Sequence, residues 1–178
     1  MMKYMIFAGL LILTGCATME DGVYRPKSSK EKAAFSKAVK DVSPADVRQN
    51  FRALESTEMA WAGVIKDIQF KETERTIQVA FQIDHRSFDW TDHGGDKPYR
   101  LSSTGDGVFV AGWIVRKPTT IGKLKTEAKA GYMMLVYGKP YQMKEGVIQV
   151  STSALRLIKT NDYEVMDVAV EEDELSEE

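Results

Sequence analysis

Both histidines of the chain fall within one short run, Asp84-His85-Arg86-Ser87-Phe88-Asp89-Trp90-Thr91-Asp92-His93-Gly94-Gly95-Asp96. Imidazole nitrogens and carboxylate oxygens are ligands for zinc and other divalent ions, and His85, Asp89 and His93 stand at i, i+4 and i+8. If the run were helical, these three would share a face, which makes a metal-binding protein or a metal-dependent enzyme one reading of the sequence. Gly94, Gly95 and the strand pattern just before the run favour a loop instead, where the same spacing fixes no common face. No HExxH pair supplies two ligands one turn apart with a general base between them. Phe88 and Trp90 are expected to anchor this loop on the core; the other use of two such rings is an aromatic recognition tip.

Other catalytic patterns are missing. There is no Gly-x-Ser-x-Gly elbow and no dinucleotide fingerprint, and Gly122-Lys123 lacks the upstream glycine of a phosphate-binding loop. The single cysteine, Cys16, excludes a disulfide framework, a cysteine-only zinc site and CxxC chemistry within one chain. No catalytic residue and no cofactor is therefore assigned, and a non-enzymatic role is expected.

Cys16 is informative for another reason. It ends the segment MMKYMIFAGLLILTGC, in which Lys3 precedes an apolar run and small residues precede the cysteine. This pattern is a secretory leader. The apolar run is too short to cross a hydrocarbon layer about 30 Å thick, which needs about 20 residues of helix. Leu13-Thr14-Gly15-Cys16 resembles the bacterial lipobox, in which the thiol receives a diacylglycerol and the cysteine becomes the new N-terminus. Each buried methylene of a fatty chain such as palmitate contributes about 0.8 kcal/mol, so several chains make an anchored protein of a soluble domain. In proteins with this signal an Asp after the cysteine retains the product at the inner membrane. Here Ala17 and Thr18 follow, and the resemblance implies the outer membrane, on its periplasmic face.

The body that these features would hold is of ordinary globular composition, with 43% apolar and 28% charged residues in 178. Chain-wide disorder, coiled coils and multi-span membrane folds are excluded. From Asp167 onward there are seven acids and no base, while residues 17–166 carry 23 bases against 19 acids, a net of +4. The final EEDELSEE has no packing pattern, so residues 161–178 are expected to form a solvated, disordered acidic tail.

Residues 1–15 read as the signal peptide and 16–42 as a lipidated tether with a weak helix, opened by a capping box at Ser28 and Glu31. Ser43-Pro44-Ala45-Asp46 starts a second helix, predicted over 44–54, with Val47, Phe51 and Leu54 on one face. From Trp61 the apolar period changes to two. Strands are predicted over 61–71, with Gly63 marking a bulge or coil, and over 76–84, with Ile77, Val79, Phe81 and Ile83 facing a core. Residues 99–103 and 108–115 read as a further hairpin or as one kinked strand about Gly105 and Gly107, counted as the third strand, 119–130 as a connector or short helix, and 131–138 and 147–158 as the last strands. Five strands with a linking segment between the third and fourth give a mainly β fold over 43–160: an OB-like five-stranded antiparallel barrel with short N-terminal helices.

With these elements placed, the lipobox, the short helix, Trp61-Ala62-Gly63-Val64-Ile65, Gly105-Asp106-Gly107-Val108-Phe109 and Tyr137-Gly138-Lys139-Pro140 together resemble the Slp-type, starvation-inducible outer-membrane lipoproteins over about 43–158. The resemblance implies a small β-barrel at the outer membrane with a role in envelope maintenance, and brings no catalytic residues. The charged aromatic loop from His85 to Lys97 and the acidic tail depart from it.

Partners follow from charge and address. Lys123, Lys125, Lys129, Lys139 and Lys144 could form a basic stripe, with Tyr132, Tyr137 and Tyr141 to stack on a ligand. A net of +4 is small for tracking a phosphate backbone, so no nucleic acid is expected. The expected partners are the membrane through its anchor and, beyond it, an envelope protein, a lipid head group or a polysaccharide.

Overall fold

The computed structural model describes residues 22–167. Cys16 and the leader, and the run of acids from Glu171, lie outside the described residues. The chain begins with β1 (Gly22–Val23), followed by α1 (Ser29–Phe35), α2 (Pro44–Gln49) and α3 (Phe51–Leu54). The Ser28 hydroxyl accepts from the Glu31 N–H to start α1, and Ser43 and Asp46 form a reciprocal capping box on α2. The helix predicted over 44–54 breaks in two at Asn50, whose backbone (φ −125°, ψ 37°) leaves the helical region.

Next come β2 (Met59–Glu72), β3 (Thr76–Arg86), β4 (Thr91–Asp92), β5 (Tyr99–Ser102), β6 (Val108–Arg116), α4 (Ile121–Glu127), β7 (Met133–Lys144), β8 (Val147–Ile158) and β9 (Tyr163–Met166). The five long strands close a barrel in the order β2-β3-β6-β8-β7. Every neighbouring pair is antiparallel except β6 and β8, which run parallel over Phe109–Gly112 and Ile148–Ser151. The parallel pair is forced: with β7 returning beside β2, the last strand closes the barrel along the direction of β6. Closure pairs each long strand on both sides over part of its length.

Two glycines shape this closure. β2 pairs with β3 over 62–72 and with β7 over 59–64, so residues 62–64 serve both partners. At Gly63, in that overlap, a Cβ would lie 2.2 Å from the Asp84 carbonyl oxygen, so only glycine admits the curl. The bulge expected there sits two residues on, between Ile65 and Asp67. Glu145 and Gly146, both at positive φ, make the two-residue turn between β7 and β8, which matches the twist of the strands it joins.

Two cores result. The barrel interior holds Trp61, Ile65, Ile77, Val79, Phe81, Ile83, Phe109, Met134 and Ile148, with Val47 of α2 and the half-buried Leu124 of α4 packing against it. A second core lies on the outer face of β2, β7 and β8, around Tyr24, Ala34, Ala60, Tyr99, Leu101, Leu135, Tyr137 and Tyr163. β2 and β7 are thus covered on both faces, which explains their unbroken apolar runs.

The second core corrects three sequence-based expectations. Residues 16–42 are not a free tether from Gly22 onward: β1 pairs with β4, and Tyr24 is 2% exposed. Residues 99–103 do not form a hairpin with 108–115, because β5 pairs in parallel with β9. The tail predicted over 161–178 therefore starts too early, since Tyr163 is buried and its hydroxyl donates to the Gly131 carbonyl at 2.7 Å. These segments cover an apolar sheet face that would otherwise lie open.

A buried polar network ties this layer together. The Tyr24 hydroxyl and, at 3.3 Å, the Tyr137 hydroxyl donate to Oε1 of Glu31, and the Lys27 N–H donates to Oε2 at 2.8 Å. Arg156 of β8 donates to the Tyr24 hydroxyl at 2.6 Å and to the Tyr99 hydroxyl, and its guanidinium stacks over both rings. Burial, followed by the bond to Glu31, pushes the Tyr24 hydroxyl well above the ordinary phenol range. Glu31 and Arg156 are each less than 10% exposed, so each is the other's charge compensation inside the protein.

Candidate functional site

A concavity of about 720 Å³ lies on the outer face of β3, β6 and β8, between the β2–β3 and β7–β8 hairpins. Strand register explains its shape. Gln69, Ala80, Gly112 and Ser151 are consecutive partners across β2, β3, β6 and β8, and small residues at three of these positions leave a low floor. Alternation puts the next outward positions at the sides. Lys71, Gln78 and Ile114 form one row, and Val110 and Gln149 belong to the other. The result is a trough running across the strands. Ile114 is 65% exposed and Tyr141, at the β7 end, 57% exposed. Its surface mixes apolar walls with amide groups that both donate and accept, a composition suited to an organic ligand of modest polarity.

A smaller cleft of about 200 Å³ opens where the segment before α2 (residues 40–43) and the loop after β3 meet the start of β2, beside His85. The imidazole is 5% exposed and lies edge-on to the rings of Trp61 and Phe109. The Asp106 N–H donates to its Nδ1 at 3.3 Å, so the neutral ring carries its proton on Nε2. Arg48 of α2 donates to the Asp106 carbonyl, tying the helix to the same turn. Burial pushes the His85 pKa down to about 4. The Asp106 carboxylate, 3.4 Å from Nδ1, opposes that shift, and the Arg48 charge adds to it.

The three metal-ligand candidates are not brought together. His85 closes the end of β3 under the Asp106 turn, whereas Asp89 and His93 flank β4, with Asp89 Oδ2 2.7 Å from His93 Nε2. Burial opposes it, but hydrogen bonds from Thr91 and His93 hold the Asp89 carboxyl below its ordinary value. Asp84 is taken by Arg86 at 2.8 Å and Lys66 at 3.6 Å. Among the described residues no group of three or more His, Cys, Asp or Glu side chains is placed to hold a metal ion. Phe88 and Trp90 turn inward, with ring centroids 4.7 Å apart, against Tyr24 and Phe35.

The expected basic stripe is dispersed. Lys123 sits near Glu127 on α4, Lys125 lies over the Phe70 ring, and Lys139 and Lys144 are exposed on β7. Of the tyrosines proposed for stacking, Tyr137 is fully buried in the second core, Tyr132 is half-buried and Tyr141 faces solvent at the trough. The trough itself escaped the sequence reading. Its one visible signal was the wet face of 76–84, with Gln78, Ala80 and Gln82. No helix among the described residues is long and apolar enough to cross a membrane. No protein-family model matches the chain, and no curated protein matches it significantly in sequence.

Proposed function

We propose that the protein is an outer-membrane lipoprotein of the Slp type, held at the periplasmic face by acyl chains on Cys16, whose barrel is a non-enzymatic binding module serving envelope maintenance. The observation that carries this reading is the trough: a preformed, mixed-polarity concavity whose floor is kept low by Ala80, Gly112 and Ser151. The address rests on Leu13-Thr14-Gly15-Cys16 and on the residues after it. Together they describe a rigid receptor on a lipid tether, which needs affinity for a ligand and no chemistry of its own.

The anchor is tested by Cys16→Ser. Fractionated cells are expected to release this variant into the soluble periplasmic fraction, while the unaltered protein stays with the outer membrane. A variant that remains tightly membrane-bound overturns acylation as the main hold.

A further inference from the structure

We infer that the trough across β3, β6 and β8 holds an uncharged glycan chain bearing acetamido groups. The inference rests on the reading of the barrel as a binding module and gives that module a ligand class. Three features of the trough carry it.

The first is charge. Lys71 is the one charged side chain among its lining residues. A polyanion is held by several cations at once, and an anionic head group by a cluster of them. A single lysine at one end fits a neutral chain better.

The second is hydrogen bonding. Gln78 and Gln149 stand on opposite sides of the floor, and Gln69 and Ser151 continue the floor row itself. A carboxamide offers two N–H donors and a carbonyl acceptor on one plane. An acetamido group offers the complementary N–H and carbonyl, and sugar hydroxyls pair with either. Beside these amides, Val110, Ile114 and Tyr141 provide apolar surface for the acetamido methyl and for the C–H face of a pyranose ring.

The third is the floor. A Cβ built on Gly112 meets nothing nearer than the Val150 carbonyl oxygen at 3.7 Å, and its φ is not in the left-handed region. Neither close packing nor backbone conformation demands glycine there. Glycine does keep the middle of the trough empty, so that a flat ring can lie against the sheet. Because the floor crosses the strands, a linear chain can enter at the β2 side and leave past Tyr141 on β7.

The test uses the full-length acylated protein in a polyoxyethylene detergent, since a sugar-headed detergent would compete. Tetra-N-acetyl-chitotetraose is titrated while tyrosine and tryptophan fluorescence is followed, with cellotetraose as the chain lacking acetamido groups. Saturable binding of chitotetraose is expected, at least about tenfold tighter than cellotetraose. Gly112→Tyr, which fills the floor, and the pair Gln78→Leu with Gln149→Leu, which removes two amides, are each expected to weaken binding by about tenfold or more. Thermal midpoints of the variants identify any that fail to fold; if Gly112→Tyr does, the glutamine pair decides. No saturation by chitotetraose, or unaltered binding by the folded variants, overturns the inference. Fractionation of Cys16→Ser is read separately: release of that variant without glycan binding leaves the anchor standing and removes only the ligand.

Discussion

Glu31 is buried among two tyrosine hydroxyls and faces Arg156, with Oε1 3.9 Å from the guanidinium. Removing one partner of such a pair leaves an uncompensated charge in a poorly solvated place. Glu31→Ala is therefore expected to lower the unfolding free energy by about 3 kcal/mol, measured by urea denaturation. A loss below about 1 kcal/mol would show that the network is dispensable. His85 makes a second prediction with a definite sign. Its folded pKa of about 4 lies below the ordinary 6.5, so below pH 6.5 the unfolded chain takes up a proton that the folded protein refuses. Its contribution is in place above pH 6.5 and is lost as the pH falls toward 4, on the order of 3 kcal/mol in all. The urea midpoint of the unaltered protein should drop more steeply between pH 7 and pH 4.5 than that of His85→Gln. Parallel pH profiles for the two would contradict the burial of a neutral ring.

Among the elements, what could be read from sequence and what could not divides along local and distant information. β3 is plain because Ile77, Val79, Phe81 and Ile83 alternate with more polar residues, whereas β8 is marked by the Lys144-Glu145-Gly146 turn before it, its alternation changing face at Ser153. The starts of α1 and α2 were fixed by capping side chains three residues from their partners. β5 and β9 were misread because their pairing joins segments about sixty residues apart, and four-residue strands carry no period strong enough to announce it. Tyr24 reads as part of a tether because, apart from Glu31 and Phe35 of α1, its partners lie far along the chain: Phe88, Trp90, Tyr99 and Arg156. The trough was equally hidden: Ala80, Gly112 and Ser151 become a row only once register is known. β9 is open to direct test by hydrogen exchange. Amides of 163–166 and of Ser103, which donates to the Met166 carbonyl, should be protected to a degree comparable with β5. Exchange of 163–166 at the rate of a free chain would return this segment to the acidic tail.

For the whole molecule, a closed barrel with its second face covered by the N-terminal segment is a rigid body, and rigidity suits a receptor more than a moving part. Val47 of α2 and Leu124 of α4 close the two ends of the barrel, and the strap from β1 to α1 closes one side, leaving the β3–β6–β8 face open. The body carries a net of +4 and the terminal acids lie beyond it in sequence, so charge alone gives no strong hold on a membrane surface. Under the proposed function, an acyl anchor on Cys16 would convert this domain into part of the envelope. The mass of the protein extracted from native membranes, with its N-terminal peptide sequenced, tests that most directly. The account predicts a chain beginning at Cys16 and heavier by a diacylglyceryl group and fatty acyl chains. An unmodified thiol, or a chain that still carries residues 1–15, would contradict it.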